Sequence, residues 1–206
     1  MVKVIKQKAT KFARILPYIL IIGGLIGLYC AFTLITDEIH LLKNPHYQLN
    51  CNIDPIISCG NVMQTKEAAV FGFSNPILGL AAFAILLTIG VVMKVGTIVK
   101  RWFWLGLEAG ALFGVVFVHW LFYESVYHIN ALCPYCMIVW VTTITTFWYI
   151  TLYNIETGYI NLPNNNFFNH LKVFINKHHL DILILWLLII AALILKHFWY
   201  YYKRYI

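Results

Sequence analysis

Four of the five cysteines in this 206-residue chain form two spaced pairs, Cys51 with Cys59 and Cys133 with Cys136. Paired thiols exchange disulfides, hold a soft metal or staple a fold. The second pair lies in Ala131-Leu132-Cys133-Pro134-Tyr135-Cys136, where a short polar connection meets a long apolar segment. Proline suits the first helical position, because its φ is already helical and its missing N–H has no bond to lose there. The spacing therefore predicts a helix starting near Pro134, with Cys133 at the N-cap. Unpaired amides and the positive dipole end at such a start favour a thiolate, the form that attacks disulfides. Positions i and i+3 share a helix face, so the two sulfurs can also close on each other. A structural zinc site is the competing reading of this pair, and two structural disulfides the competing reading of all four thiols. Against zinc, such a site inside a membrane boundary is unusual, and no metal is expected. Against a staple, a Cys-x-x-Cys loop is so short that closing it removes little unfolded-state entropy.

The elements that must carry these thiols are set by composition. The chain is 61% hydrophobic and 11% charged, whereas soluble domains are roughly 45–50% apolar and about 25% charged. It reads as an all-α integral membrane protein, a four-helix transmembrane bundle with a fifth transmembrane helix. The apolar runs are Ile15 to Thr36, Pro76 to Val99, Trp102 to Tyr123, Pro134 to Tyr153 and Asp181 to His197. At about 1.5 Å per residue such runs cross a hydrocarbon core of roughly 30 Å. The first is too long for a signal-peptide core and lacks a small-x-small cleavage site, so it is expected to be a retained anchor. Gly23 and Gly27 give it a close-packing face, and Gly106, Gly110 and Gly114 predict another on the third run. Asn75 and Pro76 are expected as N-cap and first position of the second. The organisation is then a cytoplasmic segment 1–14, a catalytic bundle 15–153 with an outer loop 37–75, a cytoplasmic linker 154–179, and the fifth helix with its tail, 180–206. In the linker the turn residues 161–166 precede Phe167, Phe168, Leu171, Phe174 and Ile175 at helical spacing. These residues predict either a helix lying in the membrane interface or an extension of the neighbouring span.

The net charge of +7 is read through loop placement. Lys3, Lys6, Lys8, Lys11 and Arg14, then Lys94, Lys100 and Arg101, then Lys172 and Lys177 fall on one side, which the positive-inside rule makes cytoplasmic. The other side holds Lys43 and Lys66, with Lys196, Lys203 and Arg204 at the C-terminal end. Both cysteine pairs then face the oxidising compartment, where disulfide chemistry persists. The apolar stretch from Gly60 to Phe73 is expected to cap the helix mouths and leave Cys51 and Cys59 on a mobile segment. Cys30, inside the first span, reads as a buried small hydrophobe. Glu108 and His119 lie eleven residues apart in the third span and so return to nearly one face. Ionisable groups there are functional candidates. For Glu108 a solvated or interhelix-bonded side chain is expected; His119 is a donor to a bound group, part of a proton path or a packing residue.

Three stretches resemble the vitamin K epoxide reductase family, especially its unfused bacterial members. They are Cys51-Asn-Ile-Asp-Pro-Ile-Ile-Ser-Cys59-Gly-Asn-Val-Met, Val70-Phe-Gly-Phe-Ser-Asn75-Pro-Ile-Leu-Gly79, and Gly114 through His119 to Cys136. The resemblance implies a bundle around a quinone, menaquinone or ubiquinone, that takes electrons from a DsbA-like thioredoxin-fold protein and so supports disulfide formation in a bacterial inner membrane. It implies that Cys51 exchanges with the partner, Cys59 passes electrons to Cys133, and Cys136 lies beside the quinone, with Asn75 bonding a quinone oxygen. Only a short tail follows the fifth span, so the partner is expected to be a separate protein. Gly60 stands where many relatives have serine and Trp140 where vertebrate members have tyrosine, so the resemblance does not extend to epoxide reduction. The alternative function is a non-catalytic membrane scaffold or transporter subunit with structural disulfides.

Overall fold

The computed structural model describes residues 10–44, 46–97, 99–160 and 165–203. The basic residues Lys3, Lys6, Lys8 and Arg204 and the turn at 161–164 lie outside these. Among the described residues five helices are long and apolar enough to span a membrane, and the chain is an all-α, multi-pass membrane protein. They are α1 (Lys11–Lys43), α3 (Asn75–Lys94), α4 (Arg101–Tyr123), α5 (Pro134–Thr157) and α7 (His179–Tyr202), with short α2 (Cys59–Met63) in the first loop and α6 (Asn166–Lys177) before the last span.

Several boundaries move from those expected. Helix α1 runs past Thr36 to Lys43 and stops at Asn44, φ −142°, where the following proline disfavours helical backbone. Helix α3 stops at Lys94, ahead of Gly96 at φ 86°. Helix α4 passes without a break into a π-helical turn, Glu124–Ile129, which ends on left-handed Asn130 at φ 56°. Helix α5 continues past Tyr153 to Gly158, whose φ of 76° supplies the left-handed cap.

Helix α1 packs on both α3 and α5, and α5 on α4. Lipid tails give helices no hydrophobic reason to pair, so close approach depends on small residues. Gly24 and Gly27 of α1 face Leu87 and Phe83 of α3, Gly90 of α3 faces Ile21 of α1, and Gly23 faces Thr142 and Thr146 of α5. The expected stripe on α4 behaves differently. Gly106 and Gly110 have open space beside them, and of the three only Gly114 has a neighbour that a Cβ would meet, the Thr143 methyl at 3.4 Å. A Cβ at position 24 would lie 2.9 Å from backbone N and Cα of Leu87. Backbone cannot step aside as a side-chain tip can, so Gly24→Ala should cost about 1–3 kcal/mol. A clearly lower thermal midpoint in detergent is expected, with Gly106→Ala unchanged as the control.

Polar groups fasten α7 to the end of the bundle away from the cysteines. His179 meets Lys11 Nζ at 2.8 Å and the Tyr149 hydroxyl at 3.2 Å, and its carbonyl accepts from Trp148 Nε1 at 2.9 Å.

Candidate functional site

The loop between α1 and α3 is held from within. The Asp54 carboxylate accepts from the amides of Ile56 and Ile57 at 2.8 and 2.7 Å, folding the chain back on itself. Asn52 Oδ1 accepts from the Ser58 hydroxyl and the Gly60 amide at 3.1 and 3.0 Å, and Ser58 Oγ caps α2 through the Asn61 amide. This presents Ile56 to Ser58 as an extended edge. Leu132, one residue before Cys133, pairs with it: Leu132 N–H donates to Ile56 O at 2.6 Å and Ser58 N–H to Leu132 O at 2.9 Å.

Beside this bridge the cysteines meet. Cys51 and Cys59 form a disulfide with Cα atoms 5.7 Å apart, whereas Cys133 and Cys136 are free thiols. Cys133 Sγ lies 3.4 Å from Cys59 Sγ. Cys51, Cys59 and Cys133 are 5%, 0% and 1% exposed. The loop that was expected to be a mobile carrier is thus seated, its sulfurs shielded by Leu34 and Leu49. Cys30 is buried and free.

Cys133 caps α5 and Pro134 opens it. The sulfur takes the place of a capping oxygen and accepts from the Cys136 amide at 3.4 Å. A hydrogen bond from the Cys136 thiol, outweighing burial, holds the Cys133 thiol below its ordinary range, and the amides of Cys136 and Tyr135 add to it. A lowered pKa keeps the thiolate present at pH values where an ordinary cysteine is protonated. In a Cys51→Ala/Cys59→Ala protein, the rate of Cys133 alkylation should therefore reach its plateau below the pH of a free thiol. Adding Cys136→Ala should move that profile upward.

Beneath the sulfurs lies a cleft walled by α1, the loop, the start of α3, the π turn and the start of α5. Cys136 and Cys133 open into it, and Leu34, Val62, Leu121 and Trp140 give it an apolar lining. Asn75 stands on the opposite wall. It is not the N-cap expected from the sequence; Ser74 occupies that position, and its hydroxyl donates to Glu38 at 2.5 Å. The Asn75 amide instead reaches sideways, giving one N–H to Glu67 O at 2.6 Å, while its Oδ1 is buried with no hydrogen-bond partner.

A model of the vitamin K epoxide reductase family matches residues 18–151, from the first turns of α1 nearly to the end of α5. The chain belongs to that family. Comparison with curated proteins found no match. As a vitamin K epoxide reductase family member it is an oxidoreductase, and the proteins of that family are quinone-linked. The cleft suits that role. A quinone head is a flat apolar ring with a polar oxygen at each end, and the cleft offers an apolar lining with a few polar groups, the pattern of small-molecule sites. The second N–H of Asn75 can donate to a quinone oxygen, and its unpartnered Oδ1 can accept from the hydroxyl that forms there on reduction.

His119 is not in this family member's cleft. Its Nδ1 meets Val115 O at 2.8 Å and its Nε2 accepts from Trp186 Nε1 at 3.1 Å. The carbonyl requires the proton on Nδ1, leaving Nε2 as acceptor, so both nitrogens are used, Nδ1 within α4 and Nε2 in joining α4 to α7. Glu108 is also an interhelix tie, accepting from Thr151 and Asn154 at 2.6 and 2.8 Å. Sequence reading missed the carboxylates Glu38, Glu67 and Glu124, which all line the cleft. They look like ordinary loop charges, and only the fold turns them inward.

Proposed function

We propose that this protein oxidises a separate DsbA-like thioredoxin-fold protein and passes the electrons to a membrane quinone, menaquinone or ubiquinone. In doing so it sustains disulfide formation outside the cytoplasm of a bacterial cell. The observation that carries the reading is the 3.4 Å contact between Cys59 and Cys133. Two dithiols are needed, because a disulfide demands Cα atoms within about 7 Å and one fixed pair cannot meet both a soluble protein and a buried ring.

A partner thiolate attacks Cys51, Cys59 leaves, and the partner's second thiol resolves the mixed disulfide, leaving the loop pair reduced. The Cys59 thiolate then attacks Cys133 of the Cys133–Cys136 disulfide and Cys136 departs. Cys51 closes on Cys59, which frees Cys133. The state so reached, loop oxidised and inner pair reduced, is the one in the structure. Cys136 faces the cleft with its two-electron load, and Asn75 orients the acceptor. A bound quinone would supply that acceptor, and Cys133 and Cys136 would close on each other as they give up the two electrons. A DsbA-type partner is itself oxidising, about −120 mV, so an acceptor of comparable potential is required.

The reading is tested by reconstituting the protein with a soluble ubiquinone analogue and a reduced thioredoxin-fold dithiol protein. One partner disulfide should form per quinone reduced; oxidation of the partner without quinone loss would refute it. Orientation follows from the basic residues, which place the N-terminus in the cytoplasm and the cysteines outside. After reduction, an impermeant maleimide should reach Cys51 from outside intact cells, and labelling only after permeabilisation would invert the topology.

A further inference from the structure

The cleft has a feature that electron transfer through the four cysteines does not use. Glu124 lines it, as Cys136 does, and the Glu124 carboxylate is also bonded to His128, four residues on. Glu124 is 13% exposed and His128 58% exposed. The pair therefore runs from a residue that lines the cleft to an imidazole at the surface. Residues four apart share one side of the turn, so 124 and 128 meet while Ser125 and Val126 stay buried. The Tyr123 ring packs edge-on to His128, 5.2 Å between centroids.

We propose that Glu124 is the proton donor to quinone in this cleft, and that His128 is the positioning residue that recharges it from the aqueous phase. The proposal rests on the quinone-linked reading above. Reduction to the hydroquinone takes two electrons and two protons. The electrons come from the two thiols as the Cys133–Cys136 bond forms. One proton comes from the Cys136 thiol. The Glu124 carboxyl gives the other to a ring oxygen and regains it from His128, which regains its own from water. The Cys133 proton leaves to the solvent, so the overall balance is two thiols and a quinone to one disulfide and one hydroquinone. Glu38 and Glu67 also line the cleft, but the Glu38 carboxylate is bonded to the Ser74 hydroxyl, and Glu67 contributes its backbone carbonyl to Asn75. Among these three carboxylates Glu124 is the one joined to a titratable group at the surface.

The test uses the full-length protein, a soluble ubiquinone analogue and excess dithiol. Glu124→Gln should lower kcat by about 100-fold, the scale of a lost general acid, with KM for the quinone within about twofold of wild type. Glu124→Asp should recover part of the loss. His128→Ala should lower kcat about tenfold, and imidazole added to the buffer should restore it. A second measurement avoids quinone: the rate of disulfide exchange between the loop pair and the inner pair in quinone-free protein should be unchanged in both variants. Wild-type kcat in Glu124→Gln, failure of imidazole to rescue His128→Ala, or an equal loss in quinone-free exchange would each overturn the proposal. A wild-type protein that reduces no quinone would instead remove the reading beneath it.

Discussion

Replacing Cys136 with alanine should abolish quinone reduction and accumulate a Cys59–Cys133 cross-link. The Cys133 sulfur already lies 3.4 Å from Cys59, both shielded from solvent. Its thiolate can attack Cys59 and release Cys51, and without Cys136 no neighbour on α5 can resolve the new bond. Cys136 lies nearly a turn, about 5 Å, further along the helix from the loop, so it does not compete for Cys59. Peptide mapping without reduction identifies the species. A loop bond to Cys136 in Cys133→Ala protein, with turnover retained, would exchange the two roles. Cys30→Ala should remain near wild type.

The second large effect is expected from Cys59→Ala, which breaks the relay while leaving the inner pair and the cleft intact. Oxidation of a protein partner should fall at least about 1,000-fold, because oriented intramolecular reactions have effective molarities of ~10⁵ M or more that no direct encounter can replace. A small dithiol at high concentration should still drive quinone reduction through Cys133. With only 1% of Cys133 exposed, a folded partner has no direct route to it. Partner-driven turnover at the wild-type level would show that such a route exists.

What was legible in the sequence was local. The spans follow from composition, and the start of α5 from a proline and a sulfur at adjacent positions. Family motifs brought both cysteine pairs and Asn75 to attention. What was not legible depended on distant neighbours. Glycine spacing on α4 is the same whether a helix or lipid lies opposite, and Gly106 and Gly110 face open space. His119 reads as a free polar group until Trp186, from α7, occupies its Nε2. Asn75 has the chemistry of an N-cap, but the Glu67 carbonyl draws its amide away. The i,i+4 spacing of Glu124 and His128 is visible in the sequence, but that Glu124 lines the cleft beside the cysteines is not.

The backbone bridge between Ile56–Ser58 and Leu132 has a kinetic consequence. Two hydrogen bonds keep the outer disulfide against Cys133, and the same contact buries Cys51. On the proposed relay the loop cannot be docked here and engaged with a soluble protein at once. Partner and quinone then never occupy the enzyme in a single productive complex; each visits a different redox form of it. The order is ping-pong, enforced by a two-bond latch whose opening and closing separates the two half-reactions in time.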